Sequence, residues 1–241
     1  MPLMINWLAG HISSLNGNLV NLYNVSQKGN LWSYAFVYLL NTYFYWIFFQ
    51  IILFLDVFFF TIGYMIELPF LKNEIKSVDP TALGWIVCLA CYPPFNTATA
   101  NILAWYSSDF PQFSNITLHI IMNLAFLFLM GIYARASICL NFKASNLTNR
   151  GIVSYGVYKY VRHPAYLCKN TARIIGALPI IINCFVTLDF IKLILIFFSI
   201  GGWLFIYFMR AITEERHLLM IGNGYKEYKE KVKYRFIPGI I

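Results

Sequence analysis

Long apolar runs with almost no charge constrain what this chain can fold into. From Leu31 to Leu68, the only charge before Glu67 is Asp56. A hydrocarbon core about 30 Å thick is crossed by roughly 20 helical residues, and a spanning segment must satisfy its own backbone hydrogen bonds. Because 59% of the 241 residues are hydrophobic and only 12% are charged, the composition lies outside the range of a soluble domain. We therefore predict an all-α, polytopic membrane helical bundle.

The apolar runs predict about five transmembrane helices. The first is expected to cross once, over 45–66, after an interfacial helix whose aromatic side chains sit at headgroup level: Trp32, Tyr34, Tyr38 and Tyr43. The second, over 81–102, contains Pro93 and Pro94, which must break or kink it because proline removes a donor and clashes with the preceding turn. The remaining spans are predicted at 116–138, 164–183 and 185–209.

Positive charges orient the last two spans. The segment 141–163 and the tail 210–235 are both basic, so the positive-inside rule places both on the cytoplasmic side. The last two helices are therefore predicted to form a hairpin. Charge pairs within 225–232 suit a short exposed helix in the cytoplasmic tail. We expect a single membrane domain over 1–241, with N-terminal spans in 1–140.

The charge and the cysteines exclude several classes of function. The net charge of +8 comes from residues that flank apolar spans, so it indicates orientation and attraction to anionic headgroups rather than nucleic acid. Five cysteines are an odd number, lie mostly in apolar segments and imply no disulfide framework. Cys88 and Cys91 have no second pair to complete a metal site. We expect no nucleic-acid partner and no metal.

One short stretch, 151–173, concentrates aromatic hydroxyls and cations between apolar runs. Three blocks carry a resemblance: Gly-Val-Tyr-Lys-Tyr-Val-Arg-His-Pro-Ala-Tyr-Leu at 156–167, Glu-Glu-Arg-His-Leu-Leu at 214–219, and Tyr-Lys-Glu-Tyr-Lys-Glu-Lys-Val-Lys-Tyr-Arg-Phe-Ile-Pro at 225–238. In this order they resemble the isoprenylcysteine carboxyl methyltransferase family and its phospholipid methyltransferase relatives. The sequence departs from the family pattern His-Pro-x-Tyr-x-Gly at one position, because Cys168 stands in place of the glycine.

The resemblance implies S-adenosylmethionine as methyl donor, bound by the C-terminal part, 141–241, at the cytoplasmic ends of the last helices. Aromatic faces suit its sulfonium, cations suit its carboxylate, and acids suit its amine or ribose hydroxyls. The predicted cofactor-binding residues are Tyr158, Tyr160, Arg162, His163, Pro164, Tyr166 and Glu214.

Arg173 and Glu215 are predicted to be catalytic, with His217 as an alternative to Glu215. A carboxylate acceptor is ionised at neutral pH and requires no base, and Arg173 would grip it from inside the membrane. An amine acceptor requires a base, and Glu215 or His217 would supply it. Both alternatives stay open, as does the role of Asp56, an acid that is costly inside a membrane.

The resemblance implies an integral membrane S-adenosylmethionine-dependent methyltransferase. Its acceptor would be a lipidic or prenylated amphiphile drawn from the bilayer, and membrane lipids would be its other partners. The expected location is the cell inner membrane or the endoplasmic reticulum, with the active site facing the cytoplasm.

Two alternatives remain. Membrane sterol reductases share a similar Arg-His-Pro-x-Tyr segment and a similar ending at Tyr-Arg-Phe-Ile-Pro-Gly, which would imply NADPH. The pair Glu214 and Glu215 suits a cationic donor better than a phosphorylated dinucleotide. The other alternative is a non-catalytic membrane scaffold or a transporter, although duplicated halves typical of transporters do not stand out.

Overall fold

The computed structural model describes residues 2–27, 35–220 and 224–240. Trp32 and Tyr34, predicted to lie at headgroup level, fall outside these ranges. The described residues form nine α-helices: α1 (Pro2–Gln27), α2 (Phe36–Leu39), α3 (Tyr45–Met65), α4 (Ala82–Leu89), α5 (Phe95–Ile102), α6 (Ile116–Leu140), α7 (Pro164–Thr187), α8 (Phe190–Met220) and α9 (Tyr225–Lys231). Shorter elements are a π-helical turn (Leu40–Phe44), three 3₁₀ turns (Pro69–Leu71, Asn141–Lys143, Gly156–Lys159) and two strands, β1 (Ser77–Val78) and β2 (Thr148–Asn149).

Among the described residues, four helical segments are long and apolar enough to cross a membrane: Phe36–Met65, Ile116–Lys143, Pro164–Thr187 and Phe190–Met220. The prediction of an all-helical protein with several membrane-length helices is confirmed, whereas the count of five is not.

The first of these segments is one continuous helix. Its 30 residues reach about 45 Å at 1.5 Å per residue, which exceeds the thickness of the hydrocarbon core. No glycine or proline interrupts it before Gly63. The interfacial helix expected ahead of the span is therefore the first part of the same helix, and it carries Tyr38 and Tyr43, whose rings are 6.3 Å apart.

The predicted second span is broken into two short helices. Thr81 caps α4 by accepting a hydrogen bond of 3.1 Å from the N–H of Gly84. α4 ends after eight residues, and α5, also eight residues, begins only beyond the turn that contains Pro93 and Pro94. Each helix is about 12 Å long, so neither crosses a membrane alone. The break at the prolines was predicted. Because of it, the described chain has four membrane-length helices and not the five that were expected.

Residues 66–115 nevertheless return from one end of the bundle to the other. α3 and α6 run in the same direction: Tyr45 at the start of α3 donates to the Asp109 carbonyl just before α6, and Gly63 near the end of α3 lies against Ala144 just after α6. The intervening chain therefore travels back through α4, α5 and an extended loop.

The last two membrane-length helices are joined by two residues. Leu188 has a left-handed φ of 55°, and the Asp189 side chain accepts a 3.0 Å hydrogen bond from the N–H of Lys192 in the first turn of α8. Buried Ala177 and Ile196 belong to one core cluster between the two helices. α8 continues to Met220, eleven residues beyond the predicted end of its span, because no glycine or proline occurs between Met209 and Met220.

Three connections organise the end of the bundle where α6 and α8 finish, which we call the site end. β1 pairs antiparallel with β2, with Ser77 opposite Asn149. α9 buries Tyr225 and Tyr228 against Ile152 and its neighbours, so the helix predicted to be exposed is half-buried. The start of α1 also reaches this end, where Trp7 stacks on Tyr92 with ring centroids 6.3 Å apart.

Candidate active site

The start of α7 is tied to the C-terminal tail through the backbone. The N–H of Arg162 donates to the carbonyl of Tyr234 (3.0 Å), and the N–H of His163 donates to that of Arg235 (2.9 Å). Pro164 then occupies the first helical position, where its missing N–H has no partner to lose. The tail thus folds back over the entrance to α7 and fixes the direction of the side chains there.

Glu215 is buried at the centre of a cluster of two cationic arginines and one histidine. Its Oε1 accepts from Arg162 Nε (2.9 Å), Arg235 Nε (2.9 Å) and His163 Nε2 (3.2 Å), and its Oε2 accepts from Arg235 Nη2 (3.0 Å). The Glu215 hydrogen bond raises the pKa of Arg235. Because these cations already surround both oxygens, this carboxylate joins the tail to α7 and α8 and is not available as a proton acceptor.

Arg162 is equally committed to this cluster. Besides Glu215, its Nη1 donates to the carbonyls of Val232 (2.8 Å) and Lys233 (2.6 Å) in the tail. The side chain is 5% exposed. Arg162 also borders a cavity, which is described below, but its N–H groups donate to Glu215 and to the carbonyls of the tail.

Glu214 faces the other way. Its Oε1 accepts from the hydroxyl of Tyr166 and lies 3.7 Å from Arg210 Nη2, and its Oε2 lies 3.7 Å from His163 Nδ1. The imidazole of His163 stacks on Tyr166 with centroids 5.5 Å apart and an interplanar angle of 7°. With the Glu214 side chain 32% exposed, this carboxylate is held in place yet remains open to a ligand.

Arg210 lies one turn before Glu214 and is surrounded by aromatic rings. Its guanidinium is 5.0 Å from the Tyr166 ring centroid and 5.7 Å from that of Tyr207. Its Nη2 donates to Asn146 Oδ1 at 2.8 Å, whereas its buried Nε has no hydrogen-bond partner within residues 2–27, 35–220 and 224–240. Sequence reasoning missed this residue as a site candidate, although the i,i+4 spacing to Glu214 could have indicated it.

One cavity of about 300 Å³ at the site end is bordered by His163, Tyr166, Arg210 and Glu214. Its volume is at the lower limit for typical small-molecule sites. Its wall combines α1, α3, α6, α7, α8, α9 and the segment around β2. The aromatic and polar lining includes Trp7, Asp56, Tyr92, Tyr133, Asn146, Tyr158, Arg162, His163, Tyr166, Lys169, Tyr207, Arg210, Glu214 and His217.

Of the two predicted tyrosines that precede α7, only one reaches the cavity. Tyr158 lines it, and burial raises the pKa of its phenol well above the usual value, so it stays a neutral hydrogen-bond donor. Tyr160 is 62% exposed and is covered by the Lys159 ammonium at 4.8 Å. The 3₁₀ turn at 156–159 separates the directions of the two rings.

The inner wall of the cavity carries an acid and a cation at membrane depth. Asp56 on α3 accepts hydrogen bonds from Tyr133 and Ser137 on α6. Lys169 on α7 places its ammonium 5.4 Å from the Tyr133 ring centroid. Asp56, whose role the sequence left open, therefore joins α3 to α6 beside the site, and Lys169 brings α7 against the same Tyr133.

Arg173 lies one turn further along α7 and does not line the cavity. Its guanidinium stacks between Trp105 (3.9 Å) and Trp203 (4.8 Å). Its buried side-chain nitrogens have no hydrogen-bond partner among the described residues. A buried guanidinium that contacts aromatic faces and has unsatisfied donors can still bind an anion.

The structure thus brings together five of the predicted cofactor residues at the cavity wall: Tyr158, Arg162, His163, Tyr166 and Glu214. Pro164 sits beside them in the first turn of α7, while Tyr160 faces outward. Of the predicted catalytic residues, Glu215 is buried in the cation cluster and Arg173 lies beyond the cavity. His217, the other candidate base, lines the cavity and lies 2.9 Å from the Ser77 hydroxyl through its Nε2.

Comparison with known proteins supports the resemblance for the segment that builds most of this site. Residues 116–220 match the family model of the isoprenylcysteine carboxyl methyltransferase (ICMT) family. The matched residues run from α6 to the end of α8 and include both Arg162–His163 and Glu214–Glu215, so the predicted family resemblance is confirmed there. A search of curated proteins and a search of solved structures found no match. Together with the four apolar helices, the family match supports an integral membrane methyltransferase.

Proposed function

We propose that this protein transfers a methyl group from S-adenosylmethionine to a lipidic or prenylated acceptor that enters from the bilayer. One observation carries the proposal: the Arg162–Tyr166 block and Glu214, which are far apart in the chain, converge on a single cavity at the ends of α7 and α8. Both belong to the segment that matches the methyltransferase family.

The donor set of the cavity fits the methyl donor. Glu214 offers an anchored carboxylate for its amine or ribose hydroxyls, and the neutral phenol of Tyr158 can donate to its polar groups. Tyr166 and Tyr207 present aromatic faces next to the site, which suit a sulfonium. When bound, S-adenosylmethionine supplies an electrophilic methyl group.

Arg210, rather than Arg162, is the better placed cation for the carboxylate of the donor. The donors of Arg162 are already occupied by Glu215 and the tail carbonyls. Arg210 borders the cavity and keeps a buried Nε without a partner. Arg162 then acts as a positioning residue, which holds the tail over the site.

The residues that orient or deprotonate the methyl acceptor depend on its chemical type. A carboxylate acceptor is already ionised at neutral pH, and the unpaired guanidinium of Arg173 would orient it. An amine acceptor needs a proton acceptor, and His217 at the cavity wall is better placed for this than the enclosed Glu215. The apolar surroundings of the bundle would exclude water in both cases.

Orientation follows from charge. The site end carries the basic segment around Lys143 and Arg150 and the basic tail, so the positive-inside rule places it in the cytoplasm. A cytoplasmic mouth would give access to the water-soluble donor, while the acceptor would enter from the bilayer.

Ligand-dependent thermal stability tests the proposal. The full chain, purified in a neutral detergent, is titrated with S-adenosylmethionine, S-adenosylhomocysteine and NADPH, and its Tm is followed. A rise in Tm with both adenosyl ligands is expected, since a ligand that binds only the folded state stabilises it. Stabilisation by NADPH alone would replace the methyltransferase with a reductase, and stabilisation by none of the three would favour a scaffold.

A further inference from the structure

Four cations that the proposed methyl transfer does not use lie at the site end, and two of them, Lys143 and Arg150, line the cavity. They come from two chain segments: Lys72 and Lys76 precede or border β1, and Lys143 and Arg150 flank β2. The pairing of β1 with β2 brings the segments together, and the N–H of Lys76 donates to the carbonyl of Asn149 at 2.8 Å.

Two of the ammonium groups face one point. The position that a Cβ would take at Gly151 is 3.4 Å from Lys143 Nζ and 3.6 Å from Lys76 Nζ. Gly151 has a φ of 97° and no side chain to fill this position. The charge of Lys72 also acts on Lys143. Like charges that converge in this way repel one another unless an anion lies between them.

Buried donors without partners lie in the same wall. Asn149 is 1% exposed, and its Nδ2 has no hydrogen-bond partner in the part of the chain that the structure describes, while its Oδ1 accepts from the N–H of Gly151 at 2.8 Å. Arg150 is 5% exposed; its Nη1 donates to the carbonyl of Asn73, and its Nε likewise has no partner there. Unsatisfied buried donors cost free energy that a ligand can recover.

No acid within the described ranges forms an ion pair with the group. None of the ion pairs there, at 4.0 Å or closer, involves Lys72, Lys76, Lys143 or Arg150. Glu67 acts on Arg150 from a longer distance, and its Oε1 accepts from the N–H of Ile75 at 2.8 Å. The four cations therefore have no ion-pair partner among the described residues.

We infer that Lys76, Lys143, Arg150 and Asn149 form a binding site for a phosphate group at the edge of the cavity. A carboxylate has two oxygens and one charge, whereas a phosphate offers three or more acceptor oxygens and up to two charges, which suits three cations and an amide. S-adenosylmethionine carries no phosphate, so the group belongs to another ligand. Its source is a phospholipid headgroup or a free phosphate.

The inference does not depend on methyl transfer, and the experiment keeps the two apart. The double variant K76Q/K143Q removes the two converging charges at the surface and leaves the buried Arg150 in place. The control K226Q removes one exposed lysine of α9 at the same end of the protein. Tm in neutral detergent is measured for all three proteins with inorganic phosphate, with dihexanoyl phosphatidic acid, and with sodium chloride at matched ionic strength.

Wild type and K226Q are expected to gain stability from phosphate or from phosphatidic acid beyond the salt control. K76Q/K143Q should bind the same probe roughly tenfold or more weakly, as expected for the loss of charged hydrogen bonds. Stabilisation by phosphatidic acid alone assigns the site to a lipid headgroup, and stabilisation by both probes assigns it to phosphate in general. Equal responses of wild type and the double variant, or no response of either, overturn the inference.

S-adenosylmethionine and NADPH complete the comparison. Unchanged stabilisation by S-adenosylmethionine in K76Q/K143Q is expected and shows that the phosphate site is separate from the donor site. Loss of that stabilisation in a folded variant overturns the separate site. Stabilisation of the wild type by NADPH alone, lost in the double variant, supports a phosphate site and overturns the proposed methyltransferase.

Discussion

Glu214 and Glu215 are neighbours in the chain, but only Glu214 lines the cavity. Glu215 is 3% exposed and enclosed by Arg162, His163 and Arg235, whereas the Glu214 side chain is 32% exposed and held by Tyr166. Successive residues of an α-helix point about 100° apart, so one acid can face a ligand while the next joins the tail to the bundle. The two acids should therefore respond differently to mutation.

E214Q should lose donor binding without loss of fold. The variant removes the negative charge that Tyr166 and Arg210 hold at the cavity. The apparent affinity for S-adenosylmethionine is expected to fall roughly tenfold to a hundredfold, the value of a hydrogen bond to a charged group. Thermal-shift titration measures it, with the exposed Glu227 of α9 as control in E227Q. Wild-type affinity in E214Q would show that the donor binds elsewhere.

E215A should lose stability instead. Removal of this carboxylate leaves the buried Arg162 without its counter-ion and releases the tail from α7. Breaking a buried ion pair from one side costs about 3–5 kcal/mol. A large fall in Tm in the absence of ligand is the expected result, together with faster proteolysis of the tail. A stable E215A that has lost only methyl transfer would restore a direct catalytic role to this residue.

R173Q should weaken the binding of the methyl acceptor without changing the binding of the methyl donor. Arg173 does not line the cavity, and its guanidinium contacts Trp105 and Trp203. Stabilisation by S-adenosylmethionine is expected to persist, while transfer of a radiolabelled methyl group to a prenylated carboxylate falls at least tenfold through a higher KM.

The label itself distinguishes the type of acceptor in that assay. A methyl ester is released by base, whereas an N-methyl group is not. Base-stable label with an unchanged rate in R173Q would point to an amine acceptor and to His217, and H217A would then abolish the transfer.

Asp56 should act as a polar clamp between helices. Its oxygens accept from Tyr133 and Ser137 on α6, so D56A leaves two buried hydroxyls without an acceptor. Each unsatisfied hydroxyl costs about 1–3 kcal/mol of stability, so the Tm of D56A should fall clearly. D56N keeps one acceptor oxygen, and its Tm should fall less. Comparable Tm values for D56A, D56N and wild type, with a selective loss of methyl transfer, would assign Asp56 to the chemistry instead.

Several features followed from the chain alone. The apolar runs predicted the membrane-length helices because a helix in lipid must be long and uncharged whatever its neighbours are. Pro93 and Pro94 predicted the break between α4 and α5, since proline acts on its own backbone. The blocks around His163 and Glu214 identified the family resemblance and five of the residues that line the cavity: Tyr158, Arg162, His163, Tyr166 and Glu214.

Other features depended on tertiary packing. The sequence shows two adjacent acids, but the rotation of α8 against α7 and the tail decides that Glu214 faces the cavity and Glu215 faces Arg162 and Arg235. The exclusion of Arg173 from the cavity also depends on packing, because its guanidinium lies between the rings of Trp105 and Trp203.

The short β1–β2 ribbon likewise determines that Lys76 and Lys143, 67 positions apart, face one point. Local sequence fixes where helices begin and end because the relevant forces act within a few residues. The direction in which a side chain points at a shared site depends on contacts between distant segments, which only the folded chain brings together.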